Sequence, residues 1–114
     1  MKAREIVQVL ELRVVTRSNL LDRELTGGYC ADLLSCVMSR AKSGNVWLTL
    51  QAHPNVIAVA ALLELGAVIV TEGAPIPDDV IAKADDEKIL LLSTSHTTFW
   101  VVSELARLGI KAQE

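Results

Sequence analysis

Apolar residues recur along this chain in two rhythms, and the change from one to the other marks out its elements. Over residues 3–10, Ile6, Val7, Val9 and Leu10 fall on one helical stripe with the charges elsewhere, which predicts an opening helix. Residues 12–15 read as a short strand, and 17–24 are polar and turn-like. Residues 25–30 read as a second strand, in which Gly27 and Gly28 mark a bulge or the close approach of another backbone. From there the pattern is regular. Asp32 stands where its carboxylate can cap a helix running to about Ala41, with Leu33, Leu34, Val37, Met38 and Ala41 on the inner face. A turn at Gly44-Asn45 leads to a strand over 46–50. Pro54 then opens a helix that runs to about Leu65 and stops at Gly66. A strand over 67–71, a loop over 72–75, a helix from Pro77-Asp78-Asp79 to Ala84 and a strand over 88–92 follow. The last helix begins after Ser93-Thr94-Ser95 and ends near Leu108, at Gly109.

Strands and helices that alternate in this way predict βαβ units with right-handed crossovers. The expected fold is α/β: a three-layer α/β/α arrangement around a mostly parallel central sheet. With 114 residues, the chain reads as a single domain over 1–114. Its composition agrees. Apolar residues make up 51% of the chain but aromatics only 4%, so Val, Leu, Ile and Ala must fill the core, as they do in parallel strands buried on both faces.

Charge and hydropathy then exclude several classes. Net charge is −3 and the Lys and Arg residues are scattered, so the clustered positive footprint of a nucleic-acid binder is missing. The apolar stretch 46–70 is broken by Gln51, His53, Pro54, Asn55 and Glu64, which makes it core and not a membrane span. Two cysteines, Cys30 and Cys36, with no apolar run after the charged start, point to reduced thiols and a cytoplasmic setting.

In an open parallel sheet, ligands sit beyond the carboxyl ends of the strands. Four segments fall there: Cys30 to Asp32, Gln51 to Asn55, Thr71 to Gly73, and Ser93 to Thr98. They bring Asp32, His53, Asn55, Glu72, Ser93, Thr94, His96 and Thr97 to one polar rim as candidate ligand-binding residues. The hydroxyl-rich run from Ser93 has two readings, an anion site at a helix N-terminus or ordinary capping. The chain carries no GxxxxGK[ST] loop, no GxSxG elbow and no dinucleotide fingerprint, so no catalytic residue is assigned and no cofactor is expected. An alternative reading is a small enzyme or metal-binding protein using His53, His96, Glu72 and Asp32, which requires those side chains to converge. The helix over 56–63 is apolar on nearly every face, and Trp100 follows Phe99 in the last helix. Either a neighbouring helix covers these faces or a second chain does, and a homodimer is expected.

The segment Asp22-Arg23-Glu24-Leu25-Thr26-Gly27-Gly28-Tyr29 resembles the signature of the DRTGG domain family, with Glu24 and Leu25 separating its two halves. The likeness continues through Asp32-Leu33-Leu34-Ser35, residues 49–55 and the run from Ser93 to Phe99. The resemblance implies a fold similar to the N-terminal domain of HPr kinase/phosphorylase. It also implies a regulatory or interaction role: members accompany CBS domains in regulated pyrophosphatases, occur in some phosphotransacetylases, and often contribute to self-association. It carries over no catalytic residues. Within the signature, Asp22 and Arg23 read as a local pair that fixes the turn. Arg23 has a second reading, as a planar donor to an anionic ligand. The expectation is a non-catalytic module that self-associates and serves a small-molecule ligand or a protein partner, with neither nucleic acid nor membrane involved.

Overall fold

The structure is a computed structural model and describes residues 1–17 and 19–114. Helix α1 (Ala3–Leu10) leads to β1 (Arg13–Val14), and β2 (Gly28–Cys30) is the next strand in the chain. The turn expected over 17–24 includes Ser18, which lies outside the described residues. Then come α2 (Leu34–Arg40), β3 (Val46–Thr49), α3 (Pro54–Leu62), β4 (Ala67–Val70), α4 (Asp78–Glu87), β5 (Leu91–Ser93) and α5 (Thr98–Arg107). The strands form one sheet in the order β1-β5-β4-β3-β2. β2 to β5 are parallel, and β1 joins antiparallel to β5, with Arg13 opposite Ser93.

Val46 to Thr49 and Ala67 to Val70 are buried at every position, because helices cover both faces. On one face Ile6 and Leu10 of α1 and Val101 and Leu105 of α5 pack on Leu48, Ile69 and Leu92. On the other, α2, α3 and α4 close over Trp47, Val68 and Leu91. Trp47 is fully buried, and its indole N–H donates to the Ala31 carbonyl at 2.8 Å, which satisfies its one polar atom. The α/β/α layering is therefore as expected. Among the described residues, no helix is long and apolar enough to cross a membrane.

Two local expectations are corrected. Asp32 does not cap α2: the N-cap is Leu33, with no side-chain hydrogen bond, and both Leu33 and Met38 point outward. Gly66 does not end α3. The helix ends at Leu62 with Leu63 as its C-cap, Glu64 then adopts the left-handed φ of 56°, and Leu65 N–H closes onto Ala60 C=O. The same closure ends α1, α4 and α5, where Leu12, Ile89 and Ile110 donate to Val7, Ala84 and Leu105. In each case a left-handed residue (Glu11, Glu64, Lys88 or Gly109) precedes a buried aliphatic one that drops the chain back into the core. Only one of the four is glycine, so three of these stops carry no glycine signal in the sequence.

Glu64→Gly is accordingly expected to leave stability unchanged or raise it by up to about 1 kcal/mol, since it relieves a left-handed side chain. Gly109→Ala, whose new Cβ would meet nothing within 4 Å, should lose about 1 kcal/mol through φ alone. Urea unfolding of the two variants against the parent checks both signs.

Candidate functional site

Because β2 to β5 run parallel, the residues that follow them meet at one edge of the sheet. At that edge most of the polar side chains are committed to the chain's own backbone. Oδ1 of Asp32 accepts from the Thr49 hydroxyl and from Leu50 N–H, both at 2.8 Å, and so ties the end of β2 to the end of β3. That bond is what draws Asp32 away from α2. His53 is the N-cap of α3, its Nδ1 accepting from Asn55 N–H at 3.1 Å. Thr97 caps α5 by accepting from Trp100 N–H, and the Thr94 hydroxyl accepts from His96 N–H, each at 3.2 Å. The imidazole of His96 stacks on Trp100 with ring centres 3.7 Å apart.

Glu72 settles what occupies the start of α5. Its Oε2 accepts both the N–H and the hydroxyl of Thr98 at 3.1 Å, so a carboxylate of this chain already takes the favourable place at that helix N-terminus. The Thr98 hydroxyl lies 2.6 Å from that of Thr71, which is fully buried. The backbone locks the same two loops together: Glu72 N–H donates to His96 C=O at 2.8 Å and Gly73 N–H to Thr94 C=O at 3.0 Å. Of the two readings of the Ser93 to Thr98 run, capping describes these groups.

What remains uncommitted is smaller. Asn55 is exposed, and the Ser93 and Ser95 hydroxyls have no hydrogen-bond partner among the described residues. Ser93, Thr94 and Ser95 line a hollow of about 470 Å³ beside the end of β5, roofed by the loop from Gly73 to Ile76. Arg13 lines its other side next to Glu11, and the β1–β5 register sets Arg13 opposite Ser93. Sequence reading missed Arg13, since it is a short-strand residue whose antiparallel pairing with a strand about eighty residues later leaves no local trace. Among the described residues, no three His, Cys, Asp or Glu side chains come together as a metal site would need, so the convergence required by the His53, His96, Glu72 and Asp32 alternative is not found. Cys30 is a free thiol at the same edge; partial burial, and then the Asp32 charge, hold its pKa above the ordinary thiol range.

Arg23 lies at the other end of the sheet. Its guanidinium donates to the Lys88 carbonyl at 2.7 Å, ahead of β5, and Asp22 pairs with Arg4 at 3.2 Å and not with Arg23. Thr26 donates to Ser43 C=O and accepts from the Asn45 amide. Gly27 has no room for a side chain: a Cβ there would sit 2.6 Å from the Lys111 carbonyl. These residues stitch α1, the strand starts and the C-terminal segment together.

The family profile described as "DRTGG domain" matches residues 5–108. The chain belongs to the DRTGG domain family. No curated protein matches it significantly. Among solved structures, this DRTGG domain is similar to the CBS and DRTGG domains of the regulatory region of Clostridium perfringens pyrophosphatase, crystallised with the activator diadenosine tetraphosphate. The TM-score is 0.74 at 16% identity, and the match covers 90% of this chain and 44% of that one. The chain thus spans less than half of that regulatory region, and the likeness establishes the fold.

The Thr71–Thr98–Glu72 network makes an asymmetric prediction. Thr98→Val strands the buried Thr71 hydroxyl and should cost about 1–3 kcal/mol, whereas Thr71→Val leaves Thr98 bonded to Glu72 and should cost less. Chemical denaturation of both variants reads the difference.

Proposed function

We propose that this DRTGG domain is a single, non-catalytic regulatory module of the cytoplasm that binds a small anionic ligand at the carboxyl edge of its sheet and self-associates. One observation carries the ligand reading. The starts of α3 and α5 at the rim are already capped by the chain, and Ser93, Ser95 and Arg13, which take no part in those caps, border the same hollow. A guanidinium beside hydroxyls suits a phosphate or carboxylate, and Glu11 on the same wall would reject a ligand whose charge is misplaced. The regulatory reading draws support from the family and from the pyrophosphatase regulatory region, which holds a nucleotide activator.

For self-association, α3 gives less support than its sequence suggests. Val56, Ile57, Val59 and Ala60 are buried within the domain, beneath neighbouring helices. Phe99 of α5 is 77% exposed on the opposite face, and outward apolar residues on this side are Leu33 beside α2, Met38 on α2 and Leu62 on α3, with Leu33 64% and Leu62 67% exposed. A two-fold contact through these adjacent helices would bury like against like.

Native mass spectrometry of the purified protein tests both parts in one spectrum. The expected result is a dimer that carries an anionic adduct, or takes up an added nucleotide, with the adduct lost in Arg13→Ala and the dimer lost in Leu62→Asp. A monomer that binds no nucleotide would overturn both parts, and a dimer indifferent to Arg13→Ala would overturn the site.

A further inference from the structure

A concavity larger than the rim hollow lies along the edge of the sheet. A groove of about 740 Å³ runs along the free edge of β2, between α5 and the C-terminal segment 110–114, and shares no residue with the hollow beside Ser93. Its existence follows from the layering. Two helices, α1 and α5, cover one face of a five-stranded sheet, and the outermost strand on that side is left to the tail. The tail is held at two points: Gly28 N–H donates to Lys111 C=O at 3.0 Å, and the buried Asn45 amide donates to Gln113 Oε1. β2, α5 and this tail all contribute to the groove's lining.

Its chemistry is divided. Leu48, Val102, Leu105, Ala106 and Ile110 supply apolar surface. Around them stand Arg40, Lys42 and Lys111, none of which takes part in an ion pair among the described residues, with Glu114 the single acidic side chain of the lining. Three cations around one apolar groove outnumber its acidic side chain, Glu114, so in a chain whose net charge is −3 this lining is locally positive. The volume falls in the range of small-molecule sites, roughly 300–1,000 Å³. A peptide adding a strand to this edge fits poorly. β2 has three residues and Gly28 is already bridged to Ala112, so in a ladder whose main-chain groups alternate sides only Cys30 offers its N–H and C=O outward.

We infer that this groove is a second binding site, for a small amphipathic organic anion whose apolar body lies on Val102, Ala106 and Leu48 and whose anionic group meets Arg40, Lys42 and Lys111. It is independent of the rim hollow, and either site can fail without the other. Cys30, in the lining, reports occupancy directly.

The probe is 8-anilinonaphthalene-1-sulfonate, an aromatic anion that fluoresces when its body leaves water. Titrated into the full chain, it should bind saturably at one site per chain and slow iodoacetamide alkylation of Cys30, followed in a Cys36→Ser background. Arg40→Glu with Lys111→Glu reverses two exposed charges without touching the core. It should weaken binding about fivefold or more and restore alkylation, with the circular dichroism spectrum unchanged. Inorganic phosphate, which has no apolar body, should not displace the probe at equal concentration. Probe binding that ignores the charge reversal, leaves Cys30 unprotected or fails to saturate at one site per chain would overturn the inference.

Discussion

A parallel sheet buried on both faces delivers every strand end and every helix start to one edge, and the backbone groups exposed there must find partners. In this domain the demand at the end of β3 and at the starts of α3 and α5 is met from within. Asp32 takes Leu50 N–H, His53 takes Asn55 N–H, Glu72 takes Thr98 N–H, and Thr94 and Thr97 take those of His96 and Trp100. Each bond is worth about 1 kcal/mol, but leaving one of these donors dry would cost more. The polar crowd at the rim is thus first a set of caps. The ligand contacts proposed for it are among what remains after the caps are counted: Ser93, Ser95 and the neighbouring Arg13.

The same constraint explains how much of the domain can be read from its sequence. The Val-rich strands, Pro54 at the first turn of α3 and the stop at Gly109 are local signals, and each lies where pattern and propensity put it. The rim is legible too, because strand order does not alter which end of a parallel strand a loop leaves. Partner choice at the rim is not legible. Asp32 could cap α2 or bond β3, and only the packed sheet decides for β3. Glu64 in a left-handed turn, Arg13 beside Ser93, and Asn45 holding Gln113 across 68 positions rest on tertiary contacts that no window of sequence contains.

The residues that carry the family signature act at the opposite end. Asp22, Arg23, Thr26 and Gly27 bind Arg4, Lys88, Ser43, Asn45 and the tail, and they set the amino ends of the strands. A motif of this kind marks an architecture. What the architecture is used for lies in sites placed elsewhere on it, and the two proposed for this chain are at the carboxyl edge and along β2.

The central claim, that ligand enters beside the capped rim and not at its helix ends, is most directly tested by an amide ¹H–¹⁵N correlation titration with adenosine triphosphate. The account predicts shifts centred on Arg13, Gly73 and Ser93 to Ser95. The amides of Asn55, Thr98 and Trp100 should be nearly still, because His53, Glu72 and Thr97 already hold them. Shifts centred on those capped amides, or none at millimolar nucleotide, would contradict it.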